Sequence, residues 1–176
     1  MMCEGFDAED VLALDAAGIQ EYGFIVVGVS DDSDDVLPWA YTVGMLEETG
    51  HPELIMAGPQ VESAAALLNE MGRQVLEGAR FSVGDTFRSR TGLARVGAVH
   101  PVQYELSTFA TWHGLRAHGH LEGDTLEALQ VFAPTGWFCE CHAYIEPMLD
   151  DPGARVGLPL PRPNRAARRA KRRRSA

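Results

Sequence analysis

The spacing of the apolar segments is the feature that most constrains what this chain can fold into. Six segments of five to seven residues are rich in apolar side chains, and their length is typical of β-strands. These segments are residues 23–29, 38–43, 53–57, 81–87, 93–99 and 126–132. The first two flank the polar residues 31–35, so they predict a hairpin with a five-residue loop.

Helical patterns occur between these segments without regular alternation. The clearest begins at Gly58-Pro59, has apolar side chains three and four residues apart, and ends at Gly78. Shorter helices are predicted from the capping residue Asp7 to about residue 17, over 101–111 and over 142–150. The pattern therefore predicts an α+β fold, with a mostly antiparallel sheet packed by two or three helices.

The C-terminal segment differs from the rest of the chain in charge. Residues 161–176 hold eight of the fifteen basic residues and no acidic residue. The other 160 residues hold the remaining seven basic residues and all 25 acidic residues, which gives them a net charge of −18. From residue 152 onward the chain is rich in Gly and Pro and then basic. We therefore predict one globular domain over 1–151, followed by a linker and a disordered basic tail over 152–176.

The tail residues are candidate nucleic-acid contacts, because arginine binds phosphate bidentately and with strong dependence on salt. These candidates are Arg165, Arg168, Arg169, Lys171, Arg172, Arg173 and Arg174. No aromatic residue lies among them, so the tail offers no base stacking. Three alternatives stay open: the tail folds back on its own acidic body, contacts a neighbour in an oligomer, or only adds solubility.

The N-terminal segment and the cysteines predict a cytoplasmic protein. The first seven residues are acidic and lack the apolar core of a secretory signal. No stretch approaches the ~20 apolar residues that a membrane span requires. Cys3, Cys139 and Cys141 make a poor disulfide framework, which fits a reducing compartment.

The stretch WAYTVGMLEETGHPELIMAG, residues 39–58, is the best place for a ligand site. It predicts two buried strands joined by a polar turn at a sheet end, where sites often lie. The candidate ligand-binding residues are Tyr41, Thr42, Gly44, Glu47, Glu48, His51 and Glu53. A carboxylate beside His51 would raise its pKa and orient its ring for acid/base chemistry or metal binding. The alternative is a turn whose polar side chains face water. In that case Gly44 only permits the chain to change direction at the end of the strand.

A second group of residues offers ligands for Zn²⁺. This group consists of His113, His118, His120, Cys139, Cys141 and His142. Imidazole and thiolate suit a tetrahedral zinc site, but the spacing matches no standard zinc module. Cysteine is also a frequent core residue, so Cys139 packing beside Trp137 and Phe138 is the alternative. A nucleophilic Cys–His pair can be drawn from the same residues, although the spacing favours no particular pair.

The central motifs resemble a known family. Residues 41–44 (YTVG), 50–54 (GHPEL) and 67–69 (LLN) are similar to motifs of the bacterial domain of unknown function 4262. The resemblance covers about residues 20–135, and the chain departs from it after Pro134. That family has no assigned activity, so the resemblance identifies a relative rather than a function.

The specific central motif and the lack of common catalytic signatures favour a module that binds a small ligand or a protein near 39–58. Two alternatives stay open. One is a metal-assisted hydrolase, in which His51 and a neighbouring glutamate, or zinc held by the later His and Cys residues, would activate water. The other is a nucleic-acid-associated protein that binds through its arginine-rich tail.

Overall fold

The fold is built around one six-stranded sheet. The computed structural model describes residues 7–30, 38–58, 60–90, 92–104, 108–134 and 149–151. The strands are β1 (Ile25–Val29), β2 (Trp39–Val43), β3 (Glu53–Ala57), β4 (Thr86–Ser89), β5 (Gly92–Ala98) and β6 (Ala128–Phe132). They lie in the order β1-β2-β3-β6-β5-β4, and every neighbouring pair is antiparallel except β3 and β6. The predicted α+β fold with a mostly antiparallel sheet is therefore confirmed.

Helices cover both faces of the sheet. They are α1 (Ala8–Tyr22), α2 (Met45–Thr49), α3 (Val61–Leu76) and α4 (Ala110–Ala117), with a 3-10 helix over Pro101–Tyr104. Alternate residues of β2 belong to different cores: Tyr41 packs in the core beneath α1 and α4, whereas Ala40 packs in the core beneath α3. Because both faces are covered, the central strands β2, β3 and β6 are buried along their whole length.

Local signals set the ends of α1. Asp7 and Asp10 form a reciprocal capping box at its start. At its end Gly23 adopts a left-handed conformation, with φ of +81°, and donates its N–H to the Ile19 carbonyl. The prediction that this helix ends near residue 17 was wrong, because Gly18 lies within α1. The missing side chain of Gly18 makes room for Ile25 of β1.

Three other element predictions need correction. The segment predicted as a strand over 81–87 is extended only from Thr86, and that strand runs to Ser89. The helix predicted over 101–111 is instead the short 3-10 helix followed by α4. The turn after β2 contains the helix α2, which we did not predict.

Some predictions lie outside the described residues. The hairpin is confirmed by the register that pairs Ile25 with Val43 and Val29 with Trp39. The predicted five-residue loop was wrong, because nine residues, 30–38, separate the paired strands, and of these 31–37 are not described. Residues 142–148 of the last predicted helix and the tail over 152–176 are also outside. Within the part of the chain that the structure describes, no helix is long and apolar enough to cross a membrane.

Candidate functional site

The turn between β2 and β3 lies at the end of the sheet where the parallel strands β3 and β6 begin. Gly44, with φ of +106°, leads from β2 into α2, and Gly50, with φ of +68°, ends that helix. Glu53, the first residue of β3, lies directly under the N-terminal end of α2. The turn therefore has an interior, made by Thr42, His51 and Glu53, and an outer surface.

Glu53 is fully buried and accepts hydrogen bonds from the groups that enclose it. One carboxyl oxygen accepts the backbone N–H of Gly44 at 2.9 Å and that of Leu46 at 3.2 Å. The other lies 2.6 Å from the Thr42 hydroxyl, whose oxygen also accepts the Leu54 N–H at 2.8 Å. The carboxyl group thus satisfies donors at the start of α2 that would otherwise be buried without a partner.

Burial raises the pKa of Glu53 from about 4.5 to about 7, although its hydrogen bonds act in the opposite direction. The Thr42 hydroxyl suits both protonation states. It donates to the carboxylate, and it can accept from the carboxylic acid because a hydroxyl oxygen has two lone pairs. The contact between Thr42 and Glu53 therefore persists whichever form is present.

His51 is also buried, and both of its ring nitrogens contact the backbone. Nε2 accepts the N–H of Phe81 at 2.9 Å, so Nδ1 carries the proton and donates to the Pro52 carbonyl at 2.6 Å. Burial lowers the pKa of His51, and the positive charge of Arg80 acts in the same direction. The ring joins the turn to the segment after α3, and its contacts favour the neutral form.

Tyr41 and Gly44 face other parts of the protein. The Tyr41 hydroxyl accepts the Thr111 N–H at 3.1 Å, and its ring meets Phe109 edge to face. A side chain at Gly44 would lie 2.8 Å from Ile19 and 3.2 Å from the Gly23 carbonyl oxygen. The element that approaches the Gly44 backbone is therefore the C-terminal end of α1.

Glu47 and Glu48 form the outer surface of the turn, and both are exposed. Glu47 accepts the backbone N–H groups of Glu122 and Gly123, so it joins α2 to the loop before β6. Of the seven candidate ligand-binding residues, these two are exposed and the other five are buried.

The candidate metal ligands are only partly described. His113 is held by a 2.9 Å contact between its Nε2 and the Tyr104 carbonyl, whereas His118 and His120 are exposed after α4. Cys139, Cys141 and His142 lie outside the described residues, as do all the tail candidates. Among the residues whose positions are described, no three His, Cys, Asp or Glu side chains are grouped to hold a metal ion.

The sequence reasoning missed a patch of exposed apolar residues beside α2. Tyr22 is 62% exposed and Leu76 is 39% exposed, each at the C-terminal end of its helix. A side chain at Gly23, the residue after Tyr22, would lie 2.9 Å from Leu76 and 3.5 Å from Glu48, so both of these side chains lie beside the end of α1. We call Tyr22, Leu76 and Glu48 the Tyr22 patch. The signal for it was an apolar residue in the last turn of each helix.

Comparison with known proteins agrees with the motif resemblance. No curated protein and no solved structure matches the chain significantly. The model of one family, Domain of unknown function (DUF4262), matches residues 18–136. The match includes the whole sheet, α2, α3, α4 and the turn around Glu53. The chain therefore belongs to the domain of unknown function 4262 family.

Proposed function

We propose that this chain is a protein-binding module that recognises its partner through the Tyr22 patch. The observation that carries the proposal is that an exposed tyrosine ends α1 at Gly23, beside which an exposed leucine and the exposed Glu48 lie. Tyrosine is enriched among the residues that dominate binding energy at protein interfaces. Single exposed apolar residues are common, but here two of them lie at the ends of α1 and α3, which meet at Gly23.

The interior of the turn supports this proposal by holding α2 in place. Glu53 binds its first backbone N–H groups, and His51 joins the residues after it to Phe81. Glu47 joins α2 to the loop before β6. Arg80 donates to the carbonyl of Thr49, the last residue of α2. A surface fixed before binding loses less conformational entropy when the partner docks.

The same contacts weigh against a hydrolase at this turn. For His51 to accept a substrate proton on Nε2, it would first have to release the Phe81 N–H, which would then be left without that acceptor. Glu53 would have to leave the donors that enclose it. A small-ligand site at the same place would require similar rearrangement, because Tyr41, Thr42 and Gly44 are also buried.

The proposal is tested with the full-length protein. A tagged chain would be used to capture partners from a lysate of its source cells, and each purified partner would then be titrated by calorimetry. We expect Tyr22→Ser to weaken binding about 30-fold, since a central aromatic contact contributes about 2 kcal/mol. Leu93→Ser is the matched control, because Leu93 is 45% exposed on β5, far from β1 in the strand order.

Equal loss of affinity in the Tyr22 and Leu93 variants would contradict the proposal, as would wild-type affinity after Tyr22→Ser combined with Leu76→Ser. Turnover of any substrate that is abolished by His51→Gln in a folded protein would favour the hydrolase instead.

A further inference from the structure

The outer face of α1 combines exposed apolar side chains with acidic ones. Val11 is 45% exposed and Leu14 is 60% exposed, one helical turn apart. Asp10 and Glu21 are exposed and Asp15 is half-buried, and α1 contains no basic residue. The opposite side of α1 packs into the core through Leu12, Ala16 and Ile19. We call Val11, Leu14, Asp10, Asp15 and Glu21 the outer face of α1.

We propose that the basic C-terminal segment of the same chain docks on the outer face of α1. Residues 162–174 contain eight basic residues and no acidic residue, which complements a helix that contains only acidic charges. Val156, Leu158 and Leu160 come just before the basic run and match the apolar side chains of α1. The proposal does not depend on the partner proposed for the Tyr22 patch.

The chain leaves the described structure on the face of the sheet that carries α1. Leu149 is fully buried in the core beneath α1 and α4. Its N–H donates to the buried Gln130 side chain at 2.7 Å, and its carbonyl accepts the His100 N–H at 2.7 Å. The Gln103 side chain donates to the Asp151 carbonyl at 3.2 Å. These contacts fix the point from which residue 152 continues.

The linker is long enough to reach α1. Residues 149–151 lie beside the end of β5, and α1 lies over β1, four strand spacings away in the sheet. At about 4.8 Å per spacing this is roughly 19 Å. The ten residues 152–161 can span up to about 33 Å before the first arginine of the run.

The other long helix is a poorer partner for the tail. On α3 the acidic residues Glu62 and Glu70 are accompanied by Arg73, so its charge is partly balanced. This helix also covers the opposite face of the sheet, within a different core. A tail that leaves beneath α1 and α4 would have to pass around the sheet edge to reach it.

Lys171 provides a direct test, because it is the only lysine in the chain. A carbodiimide joins an amine to a carboxylate that it touches, and peptide mass spectrometry identifies both residues. In the full-length protein at about 0.01 M salt we expect Lys171 to be joined mainly to Asp10, Asp15 or Glu21. The yield should fall at least about fivefold at about 1 M salt, where the Debye length shortens from about 30 Å to about 3 Å.

Two variants make the test specific. Val11→Ser with Leu14→Ser removes the apolar contacts at exposed positions, so the fold should persist while the yield to α1 falls at least about threefold. Leu93→Ser is the control and should leave the yield unchanged. Mixing ¹⁴N and ¹⁵N chains separates joins within one chain from joins between two copies.

The proposal is overturned if Lys171 is joined mainly to acidic residues outside α1, such as Glu62 or Glu70, or to none. It is also overturned if the joined peptides mix the two isotopes, because the tail would then dock on a second copy. Equal yields in the α1 and Leu93 variants would also overturn it, because the tail would then not dock on Val11 and Leu14.

Discussion

The interior of the β2–β3 turn and the outer face of α1 both contain carboxyl groups beside apolar side chains. The two regions differ in whether those carboxyl groups are buried or exposed to solvent. Glu53 is fully buried and meets three donors, whereas Asp10 and Glu21 are exposed. The difference follows from backbone geometry: the N-terminal end of α2 points at Glu53 and needs an acceptor. Glu53 in the first region stabilises the fold from the interior, whereas Asp10 and Glu21 in the second lie at the surface, where Asp10 also caps the start of α1.

Removal of the buried carboxyl group should have the largest effect on stability. We expect Glu53→Ala to lower the free energy of unfolding by about 3–5 kcal/mol, because it leaves buried N–H groups without an acceptor and creates a cavity. Urea denaturation at constant pH would measure the loss. Glu21→Ala, at an exposed position on the outer face of α1, should change stability by less than about 0.5 kcal/mol. Similar losses in both variants would mean that the two kinds of carboxyl group do not differ.

The second largest effect is expected from the titration of Glu53, which makes the free energy of unfolding depend on pH. Glu53 has a pKa of about 7 in the folded protein and about 4.5 when unfolded, so the folded state binds more protons between these values. The raised pKa of Glu53 therefore adds up to about 3 kcal/mol to the free energy of unfolding. This stabilisation is fully present below about pH 4.5 and is lost as pH rises to 7. Glu53→Gln cannot titrate, and its amide oxygen can still accept the Gly44 N–H.

Denaturant midpoints from pH 4.5 to 8 for wild type and Glu53→Gln isolate this contribution, because other groups, including His51, titrate in both proteins. We expect the difference between the two curves to shift in favour of the variant as pH rises. A constant difference across the range would contradict a raised pKa.

His51 tests the comparison at a second buried residue. His51→Ala should cost about 2 kcal/mol, because the Phe81 N–H loses its acceptor and the ring contact with Phe81 is lost. His118→Ala is the matched control at an exposed position and should cost less than about 0.5 kcal/mol. Thermal unfolding of both variants at the same pH would compare them. An equally small cost for His51→Ala would mean that its hydrogen bonds contribute little.

The sequence predicted the elements whose signals are local. The 3.6-residue period of α3 and the β-rich segments around the first hairpin are patterns within one stretch, and both appear in the structure. The parallel pairing of β3 with β6 could not be predicted. Those strands are about 70 residues apart in the chain, and the sequence of neither strand indicates which strand pairs with it.

The turn shows the same limit at the level of single residues. The sequence places His51 near three glutamates, but its ring contacts the backbone of Phe81, 30 residues away. The segment Met45–Thr49 has two glutamates and no strong helical period, and its first N–H groups find their acceptor in Glu53. Proximity in the chain therefore did not predict the hydrogen-bond partner that His51 finds at Phe81.

The smallest effect is expected on the outer face of α1. Val11→Ser and Leu14→Ser remove side chains that are already exposed, so each should change the free energy of unfolding by less than about 0.5 kcal/mol. Chemical denaturation of the two variants would check this. At about 1 M salt, where the tail should be released, a loss above about 1 kcal/mol would show that the domain itself covers this face and would make it resemble the turn interior.

The most direct test of the claim that the turn interior stabilises the fold is the protonation of His51, followed by ¹⁵N NMR of the imidazole ring in the full-length protein. The structure predicts a neutral ring with the proton on Nδ1, and a pKa below 6.5 because burial disfavours the charged form. The folded state then gains stability that is present above pH 6.5 and is lost as pH falls through the lowered pKa. A proton on Nε2, or a pKa above 6.5, would contradict the account and would return His51 to the role of an accessible acid or base.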